Sequence, residues 1–238
     1  MMRLQTLKSN GKLKELLWKY KHLSLVSLYG FAQIWFQYCE RTVRPKYYMH
    51  SPIDDYIPFV KYFVVPYLFW FIYMALGFLY LAVVSKKDFY KLCLYMFGGM
   101  YLCYVLYLLF PNGQNLRPII TENDVFSRMI KYIYATDTPT NVAPSIHVFN
   151  SIAVHVALVN CHQFREKRHW RLASFICMII ISASTVLIKQ HSIKDVMWSV
   201  LLATAFYIAI YQIPKWVFSK DLVSLDIKRG FFSRIAHR

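Results

Sequence analysis

Six stretches of the chain run through apolar residues with little interruption: about 22–41, 64–84, 89–110, 145–163, 172–189 and 195–214. A helix needs roughly 17 to 25 such residues to cross a bilayer. The pattern therefore predicts an all-α, polytopic integral membrane protein with six transmembrane helices in one bundle. The fourth stretch has typical span length, since its 19 residues rise about 28 Å as a helix, close to the ~30 Å of hydrocarbon. The fifth and sixth are short and separated by only five residues, 190–194. A basic segment, 1–21, precedes the six-span domain 22–214, and a basic tail, 215–238, follows it. Two further pieces lie outside the spans but carry apolar residues at helical spacing. DVFSRMIKYIY, inside the long loop 111–144, predicts a short amphipathic helix on the membrane surface. SPIDDYIPFVKYF, with Asp54, Asp55 and Pro58, reads as a similar interfacial segment before the second span.

Composition supports the membrane reading. The 238 residues are 57% apolar and 18% aromatic with only 17% charge, far from the balance of a soluble domain. A net charge of +16 would suit nucleic acid, but the aromatics sit within apolar runs and are not interleaved with basic residues, so nucleic acid is excluded as a partner. Cys39, Cys93, Cys103, Cys161 and Cys177 show no CxxC spacing and read as small buried hydrophobes. The first apolar stretch lacks a small-residue cleavage site and is expected to stay as an anchor. With the amino terminus inside, the cytoplasmic side holds 19 Lys and Arg and the other side 9. Basic residues resist translocation, so both termini are expected in the cytoplasm and the loop 111–144 outside it, with a plasma membrane as the expected setting.

Two polar stretches at the edges of apolar runs carry the candidate chemistry. TNVAPSIHVFN, 140–150, places Pro144, Ser145 and His147 where the fourth run begins, and KQHSIKDV, from Lys189, opens the sixth. The 44 residues from His147 to His191 suffice to descend one span and climb the next, so both histidines emerge on one face of the membrane. Asp195 follows His191 by four positions, within reach on a helix that begins near His191. A carboxylate there takes the proton of one imidazole nitrogen and leaves the other lone pair free for attack. Proline suits a first helical turn and serine suits capping. The helix start then favours an anion, and phosphate is the anion that most needs such a site.

These residues resemble the type 2 phosphatidic acid phosphatase superfamily, including its branch related to inositol-phosphorylceramide and sphingomyelin synthases. Its motifs are commonly written KxxxxxxRP, PSGH and SRxxxxxHxxxD. The second stands here as Pro144-Ser145-Ile146-His147, and the third as Ser184-Thr185, five residues, His191, three residues, Asp195. The first keeps Arg117 and Pro118, while Phe110 holds the lysine position and Thr185 the arginine position. The resemblance implies phosphotransfer without metal or cofactor, through a phosphohistidine. In it His191 attacks phosphorus, Asp195 orients His191, and His147 is the acid and then the base. Arg117, Ser145 and Ser184 are implied as phosphate-binding residues. The implied substrate is a lipid phosphate, diphosphate or phosphodiester headgroup met at the extracytoplasmic leaflet among membrane lipids. Loss of two cations favours a diphosphate or phosphodiester over a monoester dianion, and hydrolase and transferase both stay open. Two rivals use the same residues: a small membrane transporter with a His/Asp proton relay, and a metalloenzyme ligated by two histidines and a carboxylate.

Overall fold

The computed structural model describes residues 21–214, and the expectations about the basic N-terminal segment and C-terminal tail fall outside them. Helix α1, Ser27–Thr42, follows a 3-10 turn at Lys21–Val26. A short helix α2, Pro52–Tyr56, is closed at its start by a reciprocal pair of hydrogen bonds between Ser51 and Asp54. The long helices α3, Val64–Val84, and α4, Lys86–Leu109, form a hairpin turned on a single residue. Ser85 leaves helical geometry, and its hydroxyl accepts from the Asp88 amide at 3.3 Å, so α3 ends and α4 is capped at one position. The amphipathic helix expected in the long loop forms as α5, Val125–Thr136, with Asp124 as its cap and with Ile130 and Ile133 buried. Then come α6, Ile146–Asn160; a single turn α7, His162–Arg165; α8, Arg168–Leu187; and α9, Ile193–Tyr207, which continues as a π-helical turn over Ile208–Gln212.

Among the described residues four helices are long and apolar enough to cross a membrane: Lys61–Val84, Lys86–Leu109, Arg168–Leu187 and Ile193–Gln212. The fifth and sixth predicted spans, the short pair, are among them. The first and fourth are not. With 16 residues α1 rises about 24 Å, and with 15 residues α6 rises about 22 Å, both short of the ~30 Å of hydrocarbon. Gln33, Gln37, Glu40 and Arg41 dilute the apolar pattern of α1. In α6 the helix stops at Asn160 because Cys161 turns to extended backbone. A short α6 is accommodated because it is the central helix, packed against α3, α4, α8 and α9. Phe149, Ala153, Val154 and Ala157 on it are fully buried. One close approach fixes α6 on α4: a Cβ at Gly99 would lie 1.9 Å from Cζ of Phe149, so only glycine fits there.

At one end of the bundle a two-stranded parallel pair, β1 (Tyr47–Tyr48) and β2 (Asn112–Gly113), brings together the loops after α1 and α4. Gly113 also bridges to Thr140 in the loop before α6. Three loops distant in sequence are thereby fixed around the start of α6, and the candidate residues His147, His191 and Asp195 gather there.

Candidate active site

The loop leading into α6 is held by side chains from other elements. The Glu40 carboxylate, at the end of α1, accepts from the Thr138 amide (3.0 Å), from the Thr138 and Thr140 hydroxyls, and from Asn141 Nδ2 (2.9 Å). Asn112 is saturated: its Oδ1 accepts from the amides of Val142 (2.9 Å) and Ala143 (2.8 Å), and its Nδ2 donates to the carbonyls of Phe110 and Ala143, both at 2.9 Å. Tyr107 Oη donates to the Pro144 carbonyl at 2.6 Å. Such polar saturation is what lets an irregular loop lie buried. Ser145 caps α6, accepting from the Val148 amide at 3.4 Å. Pro144 stands one position before that cap and outside the first turn where the sequence suggested it; the Ala143–Pro144 peptide is cis.

The loop between α8 and α9 turns through Lys189, whose φ of 55° is left-handed. The Thr185 carbonyl then accepts from the amides of Gln190 (2.9 Å) and His191 (3.0 Å). Ser192 caps α9 in a capping box whose return partner is Asp195. His191 thus lies just before the helix, not on it as the four-residue spacing suggested. The predicted contact is made nonetheless, because Asp195 reaches back over the cap. Its Oδ2 accepts from the Ser192 amide at 2.9 Å and lies 3.2 Å from His191 Nδ1. That partner assigns the proton to Nδ1 and leaves the Nε2 lone pair unprotonated. The two helix starts are tied together: Ser199 Oγ lies 3.0 Å from the Ser145 carbonyl and 2.6 Å from that of Asp195.

His147 and His191 face each other with ring centroids 6.0 Å apart. His147 is stacked on Tyr67 at 4.4 Å and leans on Trp70 at 4.3 Å. Among the described residues neither of its ring nitrogens has a hydrogen-bond partner. Both histidines line a cavity of ≈ 340 Å³ walled by α1, α3, α4, α5 and the start of α6. Its surface is mainly aromatic and aliphatic, with Tyr29 and Phe36 on one side, Phe71 and Tyr132 on another. Phe71 and Tyr132 are also exposed on the outside of the bundle. No lysine or arginine is among the lining residues.

Of the residues the sequence singled out, His147, His191 and Asp195 meet, and Ser145 lies beside them, its side chain buried in the cap. Arg117 and Ser184 are placed otherwise. The Arg117 guanidinium donates to the carbonyls of Tyr134 (3.0 Å) and Asp137 (2.5 Å) and packs 4.4 Å from the Tyr134 ring, closing the C-terminus of α5. Helix C-termini attract cations in this way, and burial pushes this guanidinium's pKa down from its ordinary value. Ser184 Oγ donates to Ile181 O of its own helix at 2.6 Å, as buried helical serines commonly do. Lys189, in the same loop as His191, donates to the Asp54 main-chain carbonyl at 2.8 Å.

Two carboxylates that the sequence reading did not assign to the site belong to its surroundings. Asp54 is buried under α9. Asp137 lines the cavity itself, where its Oδ2 accepts from Tyr67 Oη at 3.0 Å and from Gln190 Nε2 at 3.1 Å. Burial pushes the Asp137 pKa up, against the pull of His191, Tyr67, Arg117 and Gln190. In sequence both were acids in polar stretches beside apolar runs, with partners far along the chain. Among the described residues no group of three His, Cys, Asp or Glu side chains converges as metal ligands would.

The chain matches no protein-family model, no curated protein and no solved structure.

Proposed function

We propose that this helical membrane protein is a lipid phosphatase or phospho-headgroup transferase of the type 2 phosphatidic acid phosphatase kind. The reading takes α1 and α6 as crossing with the four longer helices, giving six spans and a site on the extracytoplasmic side, where the 19-to-9 split of basic residues would put it. The observation that carries the reading is the pairing of His191 Nδ1 with Asp195 Oδ2 at 3.2 Å beside the unpartnered ring of His147. One histidine is prepared as a nucleophile and the other is free to move a proton.

In this mechanism the Nε2 lone pair of His191 attacks phosphorus and the bond from phosphorus to the leaving oxygen breaks. His147, entering protonated, gives its proton to that oxygen. Asp195 stabilises the positive charge that the ring acquires. A water or a lipid hydroxyl then gives its proton to His147 and attacks phosphorus, which releases His191. The leading amides of α6, beside the Ser145 cap, precede the first intrahelical bonds and offer donors to the phosphoryl oxygens. The aromatic cavity, with exposed Phe71 and Tyr132 at its edge, suits a substrate whose tail remains among membrane lipids. With Phe110 and Thr185 at the two expected cation positions and Arg117 turned to carbonyls, a diphosphate or phosphodiester is favoured over a monoester dianion, which depends more on paired basic groups.

The test is incubation of purified protein in detergent with a panel of lipid monoesters, diphosphates and phosphodiesters, measuring free phosphate and new lipid species together. Turnover of at least one of them, lost in His191→Ala, is expected. A wild-type protein that turns over none, or a His191→Ala variant that keeps full activity, overturns the reading.

A further inference from the structure

The cavity holds an acidic group that the phosphotransfer scheme does not use. Asp137 follows α5 directly and lines the same cavity as His147 and His191. One oxygen, Oδ2, is fixed by Tyr67 and by Gln190, the chain neighbour of His191. Among the described residues no group hydrogen-bonds Oδ1, and Asp137 is partly exposed, not sealed. A carboxylate anchored through one oxygen and open through the other is therefore presented to whatever occupies the cavity.

The neighbouring arginine does not offset it there. Arg117 holds the Asp137 main-chain carbonyl at 2.5 Å but does not line the cavity. Asp137 thus puts a carboxylate into the cavity while the Arg117 guanidinium is spent on main-chain carbonyls outside its lining. In a cavity with no lining lysine or arginine, a single carboxylate has an effect out of proportion to its size, because the surrounding aromatic wall screens it poorly.

Resting on the phosphotransfer reading above, we infer that Asp137 is a specificity-determining residue that sets the charge limit of the site. Its open oxygen repels a phosphate carrying two negative charges. A phosphorus with one ionised oxygen is admitted, and a hydroxyl or ammonium hydrogen on its headgroup is received by Oδ1. The missing cations alone would make the site weak for every phosphate, whereas Asp137 makes it selective by adding a repulsive element against one class.

Two measurements separate this inference from the reading it rests on. The first is kcat/KM for a lipid monoester and for a phosphodiester of the same lipid, in wild type and in Asp137→Asn, which keeps an acceptor for Tyr67. The monoester value is expected to rise about tenfold while the phosphodiester value stays level or falls. A purely structural role would lower both together, and that parallel loss, or no change, overturns the inference. The second needs no turnover: binding of inorganic phosphate at pH 8 to the detergent-solubilised full chain, followed by calorimetry. Phosphate is expected to bind Asp137→Asn about tenfold more tightly than wild type. Equal or weaker binding overturns the inference. If tighter binding is found in a protein that turns over no lipid phosphate, the charge limit stands and the enzymatic reading falls.

Discussion

The Asp54 carboxylate accepts a hydrogen bond from the Ser192 hydroxyl at 2.5 Å across 138 positions of sequence, joining the short helix α2 to the cap of α9. Its other oxygen accepts from the Ile193 amide at 2.8 Å, and its Oδ2 also takes the Ser51 amide at 2.8 Å. Asp54 is 1% exposed. It therefore holds the loop whose next residue back from Ser192 is His191. Asp54→Ala leaves the Ser192 hydroxyl and the Ser51 and Ile193 amides without this acceptor, a cost of about 1–3 kcal/mol for each group that stays buried. We expect kcat to fall tenfold or more with little change in KM, and Asp54→Asn to recover part of it. An unchanged kcat alongside a lowered melting temperature would reduce Asp54 to a stabilising role.

Gly99 lets α4 approach the Phe149 ring of the central helix closely. Gly99→Ala should destabilise the bundle by about 1–3 kcal/mol, as overpacking does. Adding Phe149→Leu should return part of that loss, since the two sites touch and their effects do not add. Thermal unfolding in detergent, measured for both single variants and the double, gives the coupling. Strict additivity would mean that the helices have moved apart to absorb the methyl group.

Asp124 caps α5 and is held by Lys61 and Ser127, which keep its carboxyl well below the usual carboxylate range. A depressed pKa contributes stability that is present above the unfolded-state value and is lost as pH falls through the folded one. Amide protection in α5 should therefore exceed that of Asp124→Asn at neutral pH. The difference should shrink once pH drops below about 4. A difference that persists unchanged at pH 2 would assign the effect to the cap geometry and not to the charge.

Sidedness is open to labelling. Val125 and Lys167 are both exposed and belong to opposite ends of the bundle in the proposed topology. In a background with Cys177→Ser, an impermeant thiol reagent on intact cells should label Val125→Cys and spare Lys167→Cys. The opposite pattern would invert the protein in the membrane.

Much of this architecture can be read from the sequence, and the exceptions have physical causes. Apolar runs locate the helices, but run length overstated α6, because the backbone turns extended at Cys161 and ends the helix at Asn160. The His191–Asp195 pair is legible because its partners are four residues apart. Asp54 and Ser192, or Glu40 and the Thr138–Asn141 loop, are not, since nothing local marks a carboxylate whose donors lie about 100 positions away. Arg117 matched a motif by spacing, yet the carbonyls at the end of α5 offered its guanidinium nearer partners. Asp137 reads as a loop acid until the fold turns it into the cavity.

The most direct test of the central claim is to trap the intermediate. A lipid substrate radiolabelled on the transferred phosphorus is mixed with wild type, His147→Ala and His191→Ala, quenched in alkali within milliseconds to seconds, and the protein-bound label is mapped. The account predicts alkali-stable, acid-labile label on His191, prolonged in His147→Ala because the second step lacks its base. It predicts none in His191→Ala. Label that survives His191→Ala, or that maps to His147, would contradict it.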